Sequence, residues 1–350
     1  MVVIKLLGDV GIHLNGDQDF DPQVKNNRFY SFIFAYAFSG FEFAYQKSFF
    51  ECQDLCKLMQ KINRSKLGKI LLYHPSVILP SLITYYFYVL PDEEAYEYTG
   101  KAYDTGFTDT LKDQNKCVPL STGIWDGVET VQEAYEKKLQ IVASKLKLRI
   151  GMRVLDIGCG EGGLCHFIAA NNDVSVVGIN ISKLQVERAK QLCSGLNVKV
   201  EQKHMMLITG TYDRIICLGV AEVLGSGKFR RFFEIVHSCL ADDGLFLLEV
   251  FTARNFPLPV KDKCMTSLFG ELSLPYTIDL IDSAKNLFVI EEWENLSKHE
   301  FRTSIERVKM LKRKENEDEC ERATEFFFAW QAASIDSNLF QVYRIIFSKI

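Results

Sequence analysis

The chain has 350 residues, 47% hydrophobic and 25% charged, with a formal net charge of -4 and a pI near 6.0. That composition suits a globular protein with one large domain and a smaller one. The slight acidic excess excludes a general nucleic-acid binder, whose footprint is a basic surplus.

From the N-terminus, "MVVIKLLGDVGIHLNG" holds one Lys in a short apolar run and turns polar at Asp9, too soon for a signal peptide. "DVGIHLNGD" predicts a strand ending in an Asn-Gly turn. "SFFECQDLCKLMQKI" predicts a helix with Phe50, Leu55, Leu58 and Met59 on one face. Residues 70–90 carry no full charge and approach the length of a membrane span. Pro75 and Pro80 interrupt them, which favours a buried or membrane-surface segment over a spanning helix. A boundary near residue 100 then separates a small α/β or α+β domain, 1–100, from a second domain, 101–350. The ten cysteines show no metal-ligand spacing and read as reduced thiols of an intracellular protein; no metal site is expected.

From residue 130 the pattern becomes regular β-α alternation. "VQEAYEKKLQIVASKLKL" predicts an amphipathic helix, "MRVLDIG" a strand buried on both faces, and "GGLCHFIAANN" its crossover helix. "VSVVGIN", "VKVEQK" and "YDRIICLGV" predict further strands, with "SKLQVERAKQLCSGL" a helix among them. "KFRRFFEIVHSCL" puts Phe229, Phe232, Phe233, Val236 and Leu240 on one helical stripe; "ADDG" predicts a turn and "LFLLEVF" the next strand. "LFVIEEWENL" and "FQVYRIIFSKI" predict two late strands around a helical region at 300–337. The alternation predicts an α/β fold with a doubly wound, mostly parallel seven-stranded sheet, its ligand at the carboxyl ends of the strands.

The turn "VLDIGCGEGG", residues 154–163, lies at such an end. Gly158, Gly160 and Gly163 satisfy G-x-G-x-x-G, and Gly162 adds to the turn. Glycines there allow backbone N–H groups to approach a ligand. That spacing alone leaves the cofactor open and can also reflect a tight strand-helix junction. Three features favour S-adenosylmethionine over a dinucleotide. Asp156 ends the strand, where it can order the turn or meet an ammonium group. The next strand ends in Asn180, not the carboxylate that holds a dinucleotide ribose. "LADDGLFLLEV" has the helix-turn-strand spacing of a late methyltransferase element. Ser182 and Gln185 form a capping box in "SKLQ", and both also lie where a ribose would sit.

Taken together, these residues resemble the cyclopropane-fatty-acyl-phospholipid synthases, class I S-adenosylmethionine-dependent methyltransferases. "LRIGMRVLDIGCGEGGLCHFIA", "VSVVGINISKLQ", "YDRIICLGVAEVLG" and "GLFLLEV" resemble that family's successive motifs, and the similarity runs nearly end to end. "AYDTGFTDTL" resembles its Y-D-x-G segment, which implies a cofactor contact at Tyr103. "EQKHMML" places His204 and Met205 where the family meets the adenine amino group. "GIHLNG" and "SFFECQDL" resemble parts of its small, lipid-engaging N-terminal domain.

The resemblance implies methyl transfer to the double bond of an unsaturated acyl chain of a phospholipid. It also implies a peripheral place on the membrane from the cytoplasm and a homodimer. An alkene is a poor nucleophile, so it must be aligned with the sulfonium methyl in a dry apolar site. The family then removes a proton with a held bicarbonate ion, using a Cys, a Glu-His pair, a second His and a Tyr. Here His166 and Glu222 match. Val223 stands at the paired His, Thr122 at the Cys, and Phe326 or Phe327 at the Tyr, so bicarbonate loses several partners. Three functions follow: a methyltransferase on acyl double bonds, one acting on another nucleophile such as an amine, or a catalytically impaired lipid-binding homologue.

Overall fold

The computed structural model describes residues 2–72, 103–104, 120–224, 227–254, 274–311 and 319–350. The chain divides into two compact units. The first takes residues 1–89, 259–268 and 300–340, and the second takes 90–258, 269–299 and 341–350.

The first unit opens with α1 (Val2–Gly8), then pairs β1 (Gln23–Val24) with β2 (Phe50–Glu51) antiparallel. Between and after them come α2 (Arg28–Gln46), α3 (Leu55–Arg64) and α4 (Lys66–Leu72). The strand expected at 9–17 is a loop. Asp21 accepts the N–H groups of His13 (2.8 Å) and Gln18 (3.2 Å), and Asn15 Oδ1 accepts that of Val24 (2.7 Å). Side-chain acceptors thus satisfy donors that a ladder would otherwise need. The helix expected from residue 48 starts only at Leu55, because Asp54 caps it by accepting the Lys57 N–H at 2.9 Å. Leu55, Leu58 and Met59 are buried on it, whereas Phe50 is buried in β2.

Of the apolar stretch 70–90, residues 73–90 lie outside the described residues; among the described residues no helix is long and apolar enough to cross a membrane. The eight described cysteines are free thiols.

The second unit carries a seven-stranded sheet. After α5 (Val131–Lys145) come β3 (Arg153–Ile157), α6 (Gly163–Asn171), β4 (Ser175–Asn180) and α7 (Lys183–Leu192). Then follow β5 (Val198–Gln202), β6 (Tyr212–Leu218), α8 (Phe229–Cys239) and β7 (Leu240–Ala253). Next are α9 (Thr277–Ala284), β8 (Phe288–Asn295), α10 (Ser297–Leu311), α11 (Glu319–Asp336) and β9 (Phe340–Lys349). Residues 300–311 of α10 and all of α11 belong to the first unit.

Strand order is β5-β4-β3-β6-β7-β9-β8. β3 pairs parallel with β4 and with β6; β4–β5 and β6–β7 are also parallel, and β8–β9 is antiparallel. The sheet is doubly wound and mostly parallel, as the β-α alternation requires. "ADDG" does not end an element. Tyr212 pairs with Leu240 and Arg214 with Leu245, so residues 241–244 bulge within β7.

One face of the sheet is closed by α8. Its Phe232 and Phe233 pack edge-on against Phe246 of β7, and Phe246 stacks on Phe347 of β9. On the other face Leu139 and Val142 of α5, Ile168 of α6 and Val186 of α7 pack with Val154, Val176 and Ile216. With both faces covered, β3 reads as the apolar run that a central parallel strand requires, broken by Asp156 near its carboxyl end.

Candidate active site

The order reverses at β3, which sends the chain toward β4 on one side and stands beside β6 on the other. In open α/β sheets the ligand crevice lies outside the carboxyl ends of the strands at such a switch point. Two buried carboxylates stand there, Asp156 at the end of β3 and Glu222 in a single 3-10 turn after β6.

Asp156 is 3% exposed. It accepts a hydrogen bond from Cys165 Sγ at 3.3 Å. Burial pushes its pKa up to about 6, against the lowering effects of that thiol and of the Lys138 charge. Glu222 is 4% exposed. Its Oε1 accepts the Phe251 N–H at 2.6 Å, while Oε2 is buried with no hydrogen-bond partner among the described residues. Burial raises its pKa to about 7, the Phe251 N–H pulls it down, and the Glu249 charge adds to the rise. Burial, then the Glu222 and Asp156 charges, push the Cys217 thiol well above its usual range, against the lowering effect of the Ala221 and Val220 backbone. Both carboxylates therefore face one region of the β3–β6 seam.

Three of the turn's four glycines, Gly158, Gly160 and Gly162, differ in what they do. All have positive φ: 74° at Gly158, 55° at Gly160 and 87° at Gly162. A Cβ on Gly158 would stand 2.3 Å from Val220, and one on Gly162 2.9 Å from Ala189. Those two allow close packing. A Cβ on Gly160 would meet nothing within 4 Å. Its backbone is bare toward open space, the feature a ligand-approaching turn needs.

A hydrogen-bond network links the rest. Asn180 Nδ2 donates to Gln185 Oε1 (2.7 Å) and to the Gly160 carbonyl (3.3 Å), and Asn180 Oδ1 accepts the Ile181 N–H (2.7 Å). Ser182 Oγ accepts the Gln185 N–H at 3.1 Å as the cap of α7 and donates to Asp104 Oδ1 at 2.6 Å. The Gln185 side chain turns to Asn180, so the reciprocal half of the expected capping box is replaced by a link to the glycine turn. Tyr103, next to Asp104, has its hydroxyl pKa raised by burial and by the Glu222 charge.

The predicted site residues therefore fall into groups. Tyr103 and Glu222 come together, as do Gly160, Asn180, Ser182 and Gln185, while Asp156 sits with Cys165. His204 caps a second 3-10 turn through the Met206 N–H at 3.3 Å, and Met205 is buried in that turn. His166 is half-buried on α6, and Thr122 is buried; neither hydrogen-bonds to Glu222 among the described residues. Val223 packs against the apolar core. Phe326 and Phe327 lie on α11 in the first unit, where Phe326 contacts Phe38, Phe41 and Tyr45. The sequence reading missed Asp104 and Glu249. Asp104 is adjacent to the chosen Tyr103, yet no spacing announces that it meets Ser182. Glu249 sits in an apolar strand motif, and a lone acid in a buried strand was its available signal.

A family model described as mycolic acid cyclopropane synthetase matches residues 100–334. The chain belongs to this family. A cyclopropane-fatty-acyl-phospholipid synthase of Escherichia coli is 31% identical over 291 residues, covering 83% of this chain and 76% of that protein. The fold matches a cyclopropane synthase of Mycobacterium tuberculosis with a TM-score of 0.66 at 23% identity, over 73% of this chain and 98% of that one. It also matches a mycolic acid cyclopropane synthase solved with SAH and CTAB, with a TM-score of 0.64 at 22% identity, over 75% and 99% of the two chains. This synthase-family member is an S-adenosylmethionine-dependent methyltransferase. Its own residues fit that cofactor. Gly160 leaves the backbone open, and two buried carboxylates, both costly to ionise, offer themselves to a cationic group.

Proposed function

We propose that the protein methylates the double bond of an unsaturated acyl chain in a phospholipid. The observation that carries this reading is Glu222: a buried carboxylate at the switch point of a synthase-family sheet, with Oε2 free to take a proton. When bound, S-adenosylmethionine supplies the methyl group. Gly158, Gly160 and Gly162 shape the turn that receives it, with Asp156 at the turn's base. Tyr103, Asn180, Ser182, Gln185, His204 and Met205 complete the cofactor site.

Methylating an alkene adds CH3 as a cation, so one proton must leave for a neutral product that gains CH2 in total. Glu222 holds that role. Its pKa near 7 leaves it substantially ionised at neutral pH yet a better proton acceptor than an ordinary carboxylate. His166 and Thr122 are its supporting catalytic residues. Val223 offers an apolar side chain packed on the core, so it contributes no bond to a bicarbonate ion. The protein works at the membrane surface, where its substrate resides, and as a homodimer.

Lipid mass spectrometry of cells expressing the protein tests the reading. Phospholipid acyl chains should gain one CH2 in the parent and none with Glu222→Gln. Calorimetry should show S-adenosylmethionine binding to the isolated parent. Unchanged lipids despite cofactor binding would remove the acyl substrate, and methylated amines in the same cells would replace it.

A further inference from the structure

We propose that Asp104 is a positioning residue for methyl transfer: its carboxylate holds the Tyr103–Asp104 segment on Ser182 and the first turn of α7, and so keeps Tyr103 beside Glu222. The proposal rests on the methyltransferase reading above and adds a residue that the reading does not use.

The geometry is specific. One oxygen, Asp104 Oδ1, accepts both the Ser182 hydroxyl at 2.6 Å and the Leu184 N–H at 3.1 Å. Ser182 is fully buried, so its hydroxyl has one defined direction in which to donate. Leu184 N–H is among the first-turn donors of α7 that no helical carbonyl can reach. A carboxylate is the strongest neutral-pH acceptor for such a pair, and it faces the positive end of the helix. Asp104 itself is exposed, so these two bonds, more than packing, define its place among the described residues.

The consequence travels in two directions. Through Ser182 the clamp reaches the α7 cap, and at Asn180 and Gln185 the same cap region is tied to the Gly160 carbonyl. The Tyr103–Asp104 segment is therefore hydrogen-bonded into the framework that shapes the glycine turn. Through its neighbour Tyr103 the clamp also reaches Glu222. Among the described residues, the charged and titratable groups that face Glu222 are Glu249 from β7, Cys217 from β6 and Tyr103. Of these, Tyr103 is the direct chain neighbour of Asp104. Losing the clamp loosens the segment that carries the Tyr103 ring beside Glu222.

Asp104→Ala, Asp104→Asn and Ser182→Ala test this, with melting temperature, calorimetry of S-adenosylhomocysteine and the pH profile of lipid methylation as readouts. Asp104→Ala should keep the parent melting temperature and bind S-adenosylhomocysteine about 10- to 100-fold more weakly, the scale of one charge-assisted hydrogen bond. Its acid limb should move to lower pH as Glu222 becomes hydrated. Asp104→Asn retains the acceptor oxygen and should recover most of the affinity. Asp104→Ala and Ser182→Ala combined should lose less than the sum of the two singles. Parent-like affinity and an unmoved acid limb in Asp104→Ala would overturn the proposal while leaving the methyltransferase reading intact. A parent that binds no S-adenosylhomocysteine would instead remove the reading itself, and this proposal with it.

Discussion

On the proposed reading, Glu222 couples catalysis to stability through one proton. Its folded pKa of about 7 lies above the ordinary carboxylate value of 4.5. The folded chain therefore binds this proton more tightly than the unfolded chain. Its contribution to stability is complete below pH 4.5 and is lost as pH rises through 7. The full loss is about 3 kcal/mol, since each pKa unit corresponds to roughly 1.4 kcal/mol. Glu222→Gln carries no such charge and keeps an oxygen for the Phe251 N–H. Denaturant melts should show Glu222→Gln gaining on the parent between pH 5 and pH 8, by up to about 3 kcal/mol. Methylation should meanwhile fall about 10²- to 10⁴-fold, the usual worth of a positioned acid-base group. A constant stability difference across that range would show that Glu222 is not buried as a titrating acid. The glycines make a second test at this scale. Gly160→Ala meets open space, so it should cost only the roughly 1–2 kcal/mol of a positive φ, yet weaken S-adenosylmethionine binding measured by calorimetry. Gly158→Ala drives a methyl into Val220 and should lower the melting temperature much further.

At the scale of elements, the sheet hides an ion pair that the sequence does not advertise. Arg344 on β9 donates to Glu249 on β7 at 2.9 Å and 3.2 Å, and both side chains are almost fully buried. Arg344 also reaches Glu294 on β8, which is partly exposed. Removing one partner strands the other charge in the interior, at a cost of about 3–5 kcal/mol. Arg344→Leu should therefore unfold at markedly lower denaturant, and Glu249→Leu with Arg344→Leu should recover most of that loss. If the double variant is as unstable as the single, the pair is needed for packing and not merely for neutrality. The same strands show what was legible. β3, β4 and β6 are apolar runs between glycine and polar turns, so they read directly from "VLDI", "SVVGIN" and "RIICL". The bulge at 241–244 was not legible, since "ADDG" carries every local mark of a turn and only its pairing with β6 makes it strand. In the site, Asp156 and the glycines were legible because a sharp turn demands them. Asp104 and the Glu222 Oε2, unpaired among the described residues, were not, because each is defined by what lies, or does not lie, beside it far away in sequence.

At the scale of the whole molecule, the proposed phospholipid substrate sets a chain with net charge -4 against a bilayer. Cytoplasmic membrane surfaces are negatively charged, so overall charge opposes docking and apolar contact must drive it. Among the described residues no helix can cross, and Phe34, Tyr36 and Ile70 of the first unit are exposed apolar side chains of the kind that insert at an interface. The protein should therefore co-sediment with phosphatidylethanolamine-rich vesicles and stay bound in high salt, since screening removes repulsion and leaves apolar burial intact. Alkaline carbonate should release it from cell membranes, as Pro75 and Pro80 favour a membrane-surface segment over a span. Phe34→Ser with Tyr36→Ser should weaken sedimentation while leaving S-adenosylmethionine affinity unchanged, as both residues lie in the first unit and the glycine turn in the second. Retention after carbonate would show an integral segment. Release by salt alone would show that local basic residues, and not aromatic ones, hold the protein on its substrate.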